Sequence, residues 1–364
     1  MTLHLYFARR FLTTFLSVLA IFTAILVLLD LVEQVRKFDS SDVTFLQLLG
    51  LTILHVPESL YVILPLVMIL ATLTLFLSLA RTSEMVVTRA AGRSALRSLG
   101  APVAVALLIG IFAVAIFNPI VAATSKTYEA VSDSFSNGDQ SVMSISREGL
   151  WLRQGENGVQ TVIRADRANL DGTELYGVTF IGFTPETGPA FRLEADSAQL
   201  LPGAWELRGV KEWRFDRANP ESEATLYPSY RLPSNLTRSQ ILDSFGTPSA
   251  IPIWELPQFI DQLETAGFSA RKHQVWLQME LALPLLLVAM VLVGACFTMR
   301  HTRFGRTGLM VMLSLALGFS LYFIRNFAQI LGENGQIPVM LAAWGPPVAA
   351  ILLPLGLLLH WEDG

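Results

Sequence analysis

The stretch GIFAVAIFNPIVAATSKTYEAVSDSFSNGDQSVMSISREGLWLRQ, residues 110–154, changes character halfway along. Up to about residue 121 it is almost unbroken apolar sequence. It closes a run beginning near residue 99 that reaches the ~20 residues a membrane-spanning helix needs. From about residue 125 it turns polar. By SVMSISREGLWLRQ it consists of short runs between Gly and Asn signals, the texture of β-strands. The chain joins two unlike materials, and their distribution decides the fold.

Working outward, apolar runs cover roughly 11–32, 45–80, 99–121, 275–299, 307–331 and 338–359. The reading is three spans, one polar insert and three further spans, over 1–124, 125–272 and 273–364. The second run would form a helix of ~54 Å, too long for one upright span. Only His55, Pro57 and Glu58 interrupt it, too little for a polar hairpin. It reads as one span over about 58–80 behind an amphipathic helix, kinked at Pro57 and Pro65. The first run is longer than a signal-peptide h-region and has no clean cleavage site after it, so it reads as a retained anchor. Over 364 residues, 52% are apolar and 15% charged, where soluble domains carry about 25% charged. Mean hydropathy is +0.49. These values exclude disorder, a collagen-like fibre and a disulfide scaffold, and argue against an all-soluble enzyme.

Charge sets the orientation. Arg9 and Arg10 precede the first span, Arg81, Arg89, Arg93 and Arg97 separate the second and third, and Arg300, Arg303 and Arg306 separate the fourth and fifth. With six spans all three groups fall on one side, and the short loop 332–337 opposite has no Lys or Arg. Both termini are therefore expected in the cytoplasm and the insert outside it.

In the insert, SVMSISREGLWLRQ, VQTVIRA, ELYGVTFIGF, AFRLEADSAQLL, AWELRGVKEWRF and ATLYPSY are short runs about ten residues apart, the spacing of a sandwich or jellyroll. Trp205, Leu207 and Gly209 share one strand face. The apolar residues suit a closed core better than an open apolar groove, although the same residue types serve both. IWELPQFIDQLETAGF, 253–268, reads as an amphipathic helix leading to the fourth span.

Chemistry is sparse. A net charge of −4 gives no basis for nucleic-acid binding. The single cysteine, Cys296, excludes an internal disulfide and a Cys-based zinc site, and reads as a small buried or lipid-facing residue. There is no Walker A loop, HExxH or GxSxG motif. The histidines are scattered without ligand spacing, so neither a metal nor a cofactor is expected.

Two constellations stand out. In LSLARTSEMVVTRAAGRSALRS, 77–98, Ser83 and Glu84 suit a helix start, Met85, Val86, Ala90 and Ala91 an apolar stripe, and Gly92 a stop. This helix, over about 82–92, is either an interfacial helix anchored by arginines such as Arg89 or a coupling helix docking on a partner ATPase. The second constellation is cationic. Arg36 and Lys37 lie just beyond the first span, Lys126 follows the third, and Arg325 lies within the fifth, ~9 Å from its outer end. Snorkelling would account for Lys37 and Lys126, and an ion pair with Asp30 or Glu33 for Arg325. A ring of cations holding the phosphates of an amphiphile would account for all four.

The chain resembles the LptF/LptG permease family of lipopolysaccharide exporters. LxxxSEMVVTRAAGRS at 79–94 is similar to the family's cytoplasmic coupling segment, VPESLYVILPL at 56–66 to its second span, and LVEQVRK at 31–37 to its first periplasmic junction. REGLWLR, 147–153, and WELRGV, 205–210, look like strands of its insert. The SARKHQVWLQMELALPL approach to span four and the short tail HWEDG are closer to the LptG branch than to LptF.

The resemblance implies six transmembrane helices with a periplasmic β-jellyroll between the third and fourth. It implies an ABC-transporter permease subunit of the inner membrane that moves lipopolysaccharide from the outer leaflet onto a periplasmic bridge. It also implies a paralogous permease partner, a cytoplasmic ATPase dimer that hydrolyses the ATP, and a single-span companion. Ser83, Glu84, Met85, Arg89 and Gly92 would form the coupling surface, with Glu84 meeting a basic site on the ATPase. Arg36 and Lys37 match basic positions at the cavity mouth, and Lys126 falls near another. Asp30 departs from relatives that carry a basic residue there; outside the motif, the reading here is that Arg325 of span five would supply the missing charge. A membrane scaffold or sensor with an outside β domain is the competing class.

Overall fold

The computed structural model describes residues 2–38, 43–90, 94–135, 143–146, 149–156, 159–169, 172–184, 188–217, 219–234, 236–237, 241, 248–265, 269–299 and 307–362. It contains two compact units. Met1–Gly138, Ser249–Trp254 and Arg271–Gly364 form one, and Asp139–Pro248 with Glu255–Ala270 the other. In chain order the helices are α1 (Thr2–Lys37), α2 (Phe45–Arg81), α3 (Glu84–Ala90), α4 (Ala95–Phe112), α5 (Asn118–Phe135), α6 (Leu256–Thr265), α7 (Arg271–Thr298), α8 (Thr307–Glu333) and α9 (Val339–Glu362).

Six helical segments among the described residues are long and apolar enough to cross a membrane: α1, α2, α4 continued by α5, α7, α8 and α9. The β insert lies between the third and fourth, as the sequence reading expects. Helix α7 is central and packs on α2, α4, α8 and α9. Of its apolar window 78% is buried, against 11% for α1 and 17% for α8, so the last two are peripheral. The core of this unit includes Met68, Phe76, Leu287 and Val291, and Cys296 is buried in it. Lipid tails are as apolar as these side chains, so close packing and polar contacts must hold the helices together.

Helix α2 is one continuous helix of 37 residues with Pro57 and Pro65 inside it. The amphipathic helix expected ahead of the span is the far part of this same element. Its Leu48 and Leu51 join Phe38, just past the end of α1, with Tyr128 and Val131 in a small separate core. Between α4 and α5 runs a single π turn, Ala113–Phe117. Its cause is legible in FNPI: Pro119 has no N–H for the Ala115 carbonyl, and its ring crowds that carbonyl. The freed Ala115 oxygen accepts the Trp254 indole N–H at 3.1 Å.

The second unit carries seven strands: β1 (Met143–Ser146), β2 (Gly149–Glu156), β3 (Val159–Ala168), β4 (Glu174–Thr184), β5 (Gly188–Leu201), β6 (Ala204–Arg214) and β7 (Thr225–Pro233). They form one antiparallel sheet in sequential order. All six expected runs become strands, the first supplying both β1 and β2. Pairing lapses along one line, Asp166–Gly177–Asp196–Gly209–Pro228, in four successive ladders. Gly177 and Gly209 have φ of +61° and +64°, open to glycine, and the carboxylates of Asp166 and Asp196 lie over them where a Cβ would be. The sheet folds along this crease. Phe180 pairs with Leu193, and Trp205 with Leu200, which in a flat sheet would separate them by ~23 Å along the strands. Their ring centroids are 6.3 Å apart. Opposite halves of the same strands therefore face each other over one core, which includes Leu263 of α6.

Candidate functional site

At 1.5 Å per residue, a hydrocarbon core of ~30 Å takes about 20 residues. Counting that far from the bundle end that carries Arg10, Arg81 and Arg97 reaches Asp30 on α1, Tyr61 on α2 and Asn118 at the start of α5. About 18 residues from the matching ends of α7 and α8 reach Glu280 and Arg325. Five polar side chains thus form a belt at one level of an otherwise apolar bundle.

The belt is bonded. Glu280 is buried at 1% exposure. Its Oε2 accepts the Tyr61 hydroxyl and, at 3.2 Å, the Asn118 amide. The Asn118 Oδ1 accepts the backbone N–H of Ile253 at 3.0 Å. Asp30, also buried, meets Nδ1 of His55 at 2.5 Å, and the His55 ring stacks on Tyr128 at 4.7 Å. Gln34 donates to the Tyr128 hydroxyl at 3.0 Å, and Ser125 to Glu58 at 2.8 Å. Each contact satisfies a group that would be costly to bury alone.

The four predicted cations fall into two sets. Arg36, Lys37 and Lys126 are exposed, on α1 and α5. Lys37 donates to Ser132 at 3.0 Å and lies over the rings of Phe38 and Tyr128. Arg325 is half-buried on α8. Asp30 is taken by His55, and the carboxylate at the level of Arg325 on the adjacent helix is that of Glu280. No carboxylate among the described residues forms an ion pair with Arg325. Sequence reasoning passed over Glu280 and Asn118. Glu280 breaks the run QMELALPL just as Arg325 breaks its own, and the same test finds both.

At the basic end of the bundle, Glu84 opens α3. Arg10 donates to it at 2.6 Å, Tyr6 at 2.7 Å and Thr82 at 2.8 Å, and Arg10 also donates to Ser78 at 3.0 Å. Partial burial works against the charged form of Glu84, but the hydrogen bonds from Arg10, Tyr6 and Thr82 prevail and hold its carboxyl below the usual carboxylate range. Ser83 has φ +57°, a left-handed turn between α2 and α3. Met85 packs into the core, while Val87 is 68% exposed. Of the expected apolar stripe, Met85 points inward and Ala90 is exposed, the side chain of Val86 and the whole of Ala91 lie outside the described residues, and the exposed apolar side chain is that of Val87, which the stripe did not include. The side chain of Arg89, and Gly92 as a whole, lie outside the described residues.

A family model described as lipopolysaccharide export system permease LptF/LptG matches residues 5–360. Over 363 residues the chain is 24% identical to the lipopolysaccharide export system permease protein LptG of Escherichia coli K12, covering 98% of this chain and 97% of that protein. Over 354 residues it is 22% identical to LptG of Haemophilus influenzae, covering 96% and 95%. These matches run through both helical sets and the folded sheet, and take in the whole polar belt. The chain belongs to the LptF/LptG family of lipopolysaccharide export system permeases.

Proposed function

We propose that this chain is the transmembrane subunit of an ABC transporter that takes lipopolysaccharide from the outer leaflet of the bacterial inner membrane and passes it toward a periplasmic bridge. In this reading both termini are cytoplasmic and the folded sheet is periplasmic. The names of the relatives supply the substrate. The single observation that carries the reading is the belt, whose half-buried Arg325 has no ion-pair partner among the described residues. Its guanidinium can hold a phosphate bidentately, with Arg36, Lys37 and Lys126 above it at the mouth.

The peripheral helices α1 and α8 face a paralogous permease subunit and the single-span companion. A cytoplasmic ATPase dimer docks at α3, where Val87 offers the apolar contact. Glu84 reaches a basic site on that ATPase by exchanging Arg10 for it. Closure of the ATPase then moves α3, and the bundle carries the movement to the belt. The chain itself binds no nucleotide. The β unit receives the acyl chains, whose exposure to water costs about 0.8 kcal/mol per CH₂.

The test is photo-crosslinking from positions 36, 126 and 325 in cells making lipopolysaccharide. Adducts at all three are expected, and Arg325→Ala combined with Arg36→Ala should reduce crosslinking at neighbouring positions. Unchanged crosslinking and growth in that double variant would overturn the cation site.

A further inference from the structure

A cavity of about 240 Å³ lies between α2, α7 and α8, with walls that include Ile63, Leu66, Met290, Gly318, Phe319 and Tyr322. It is smaller than the ~300 Å³ at which pockets for drug-sized molecules begin. It therefore suits part of one alkyl chain and not a whole lipid. Gly318, Tyr322 and Arg325 follow the i, i+4, i+7 spacing that keeps side chains on one helix face. Arg325 thus stands one turn beyond Tyr322 on the cavity side. On the facing helix, Tyr61 directly precedes the wall residues Val62 and Ile63 and donates to Glu280. Neither Arg325 nor Glu280 lines the cavity, but each stands next to a residue at its edge, Arg325 one turn beyond Tyr322 and Glu280 through its bond from Tyr61.

They do not pair. Both lie about 18 residues from the matching ends of α7 and α8, which pack on each other, so the carboxylate stands at the level of the guanidinium. Yet Glu280 is held from two sides, by Tyr61 and by Asn118, and Asn118 is pinned in turn by Ile253. A mobile carboxylate would swing onto the guanidinium and occupy its donors. This one is fixed, so it weakens the field of Arg325 while leaving its donors free.

We propose that Glu280 is a fixed internal competitor that limits how tightly Arg325 holds the phosphate of an anionic lipid whose alkyl chain lies in this cavity. The phosphate can then leave when the bundle moves. The proposal rests on the reading of Arg325 as a phosphate ligand. Removing one fixed opposing charge at partly buried distances is expected to raise affinity on the order of tenfold.

The experiment uses the full chain in its purified complex, in phosphatidylcholine nanodiscs containing subsaturating lipopolysaccharide, with a photoreactive residue at Phe319. Glu280→Gln keeps an oxygen to accept from Tyr61 and Asn118 but removes the charge. Crosslinked lipid should rise by about tenfold and ATP-driven release should slow. Arg325→Gln should lower crosslinking, and the double variant should match Arg325→Gln alone. Tyr61→Phe frees one of the two bonds that fix Glu280 and should lower crosslinking, an independent arm if Glu280→Gln does not fold. Unchanged or reduced crosslinking in a folded Glu280→Gln, with Arg325→Gln still lowering it, overturns the competitor and leaves the phosphate site standing. So does unchanged or increased crosslinking in Tyr61→Phe. Unchanged crosslinking in Arg325→Gln overturns both.

Discussion

Glu84 lies where α2 ends and α3 begins, and Arg10, Tyr6 and Thr82 converge on its carboxylate. Its acidic character at a helix start was legible in TSEM. Its partner was not, because Arg10 lies 74 residues away and reads locally as a topology charge. The folded carboxyl titrates below its unfolded value, so its stabilisation is present above the unfolded value, about 4.3, and is lost as pH falls through the folded one. Melting of the solubilised wild type should therefore exceed that of Glu84→Gln at neutral pH, and the gap should close below about pH 4. A constant gap across that window would mean that the charge is not what ties α3 to α1. In the complex, Glu84→Ala should lower ATPase recovery while the membrane fold persists, since Met85 and the bundle core remain.

Among elements, the six strand runs were legible because spacing and turn residues are local signals. The crease was not. Gly209 continues the stripe of Trp205 and Leu207 in a two-residue alternation, and nothing in that pattern distinguishes a glycine at φ +64° from a small core residue. The signal lies across strands, in the alternation Asp166, Gly177, Asp196, Gly209, which requires the register. Gly209→Ala should cost about 1–2 kcal/mol for the backbone alone. Further loss is expected because the new Cβ would fall 2.1 Å from the Asp196 carboxylate. Protease resistance of the β unit reports it, and resistance equal to wild type would show that the crease tolerates a side chain. The π turn was half-legible: Pro119 announces a broken hydrogen bond, but not that a tryptophan 139 residues beyond Ala115 would fill it.

For the whole molecule, span number and insert position were legible because membrane thickness demands ~20 apolar residues and the sequence marks them off. The level of the belt was not, because each member is a single polar residue in a different helix. Orientation is testable by labelling in a Cys296→Ser background. A cysteine at the exposed Leu226 of β7 should react with an impermeant maleimide in intact spheroplasts, and one at the exposed Thr82 only after lysis. The reverse pattern would invert the topology. The chain's return from the sheet adds a last consequence. Ser249–Trp254 belongs to the helical unit, although α6 just after it belongs to the other. The β unit is thus not a cassette with one way in and one way out. Excising it at its sequence limits carries off the indole that covers the Ala115 carbonyl and the backbone N–H that pins Asn118. Both fragments would be left with raw ends, so swapping inserts between relatives succeeds only if 249–254 stays with the helices.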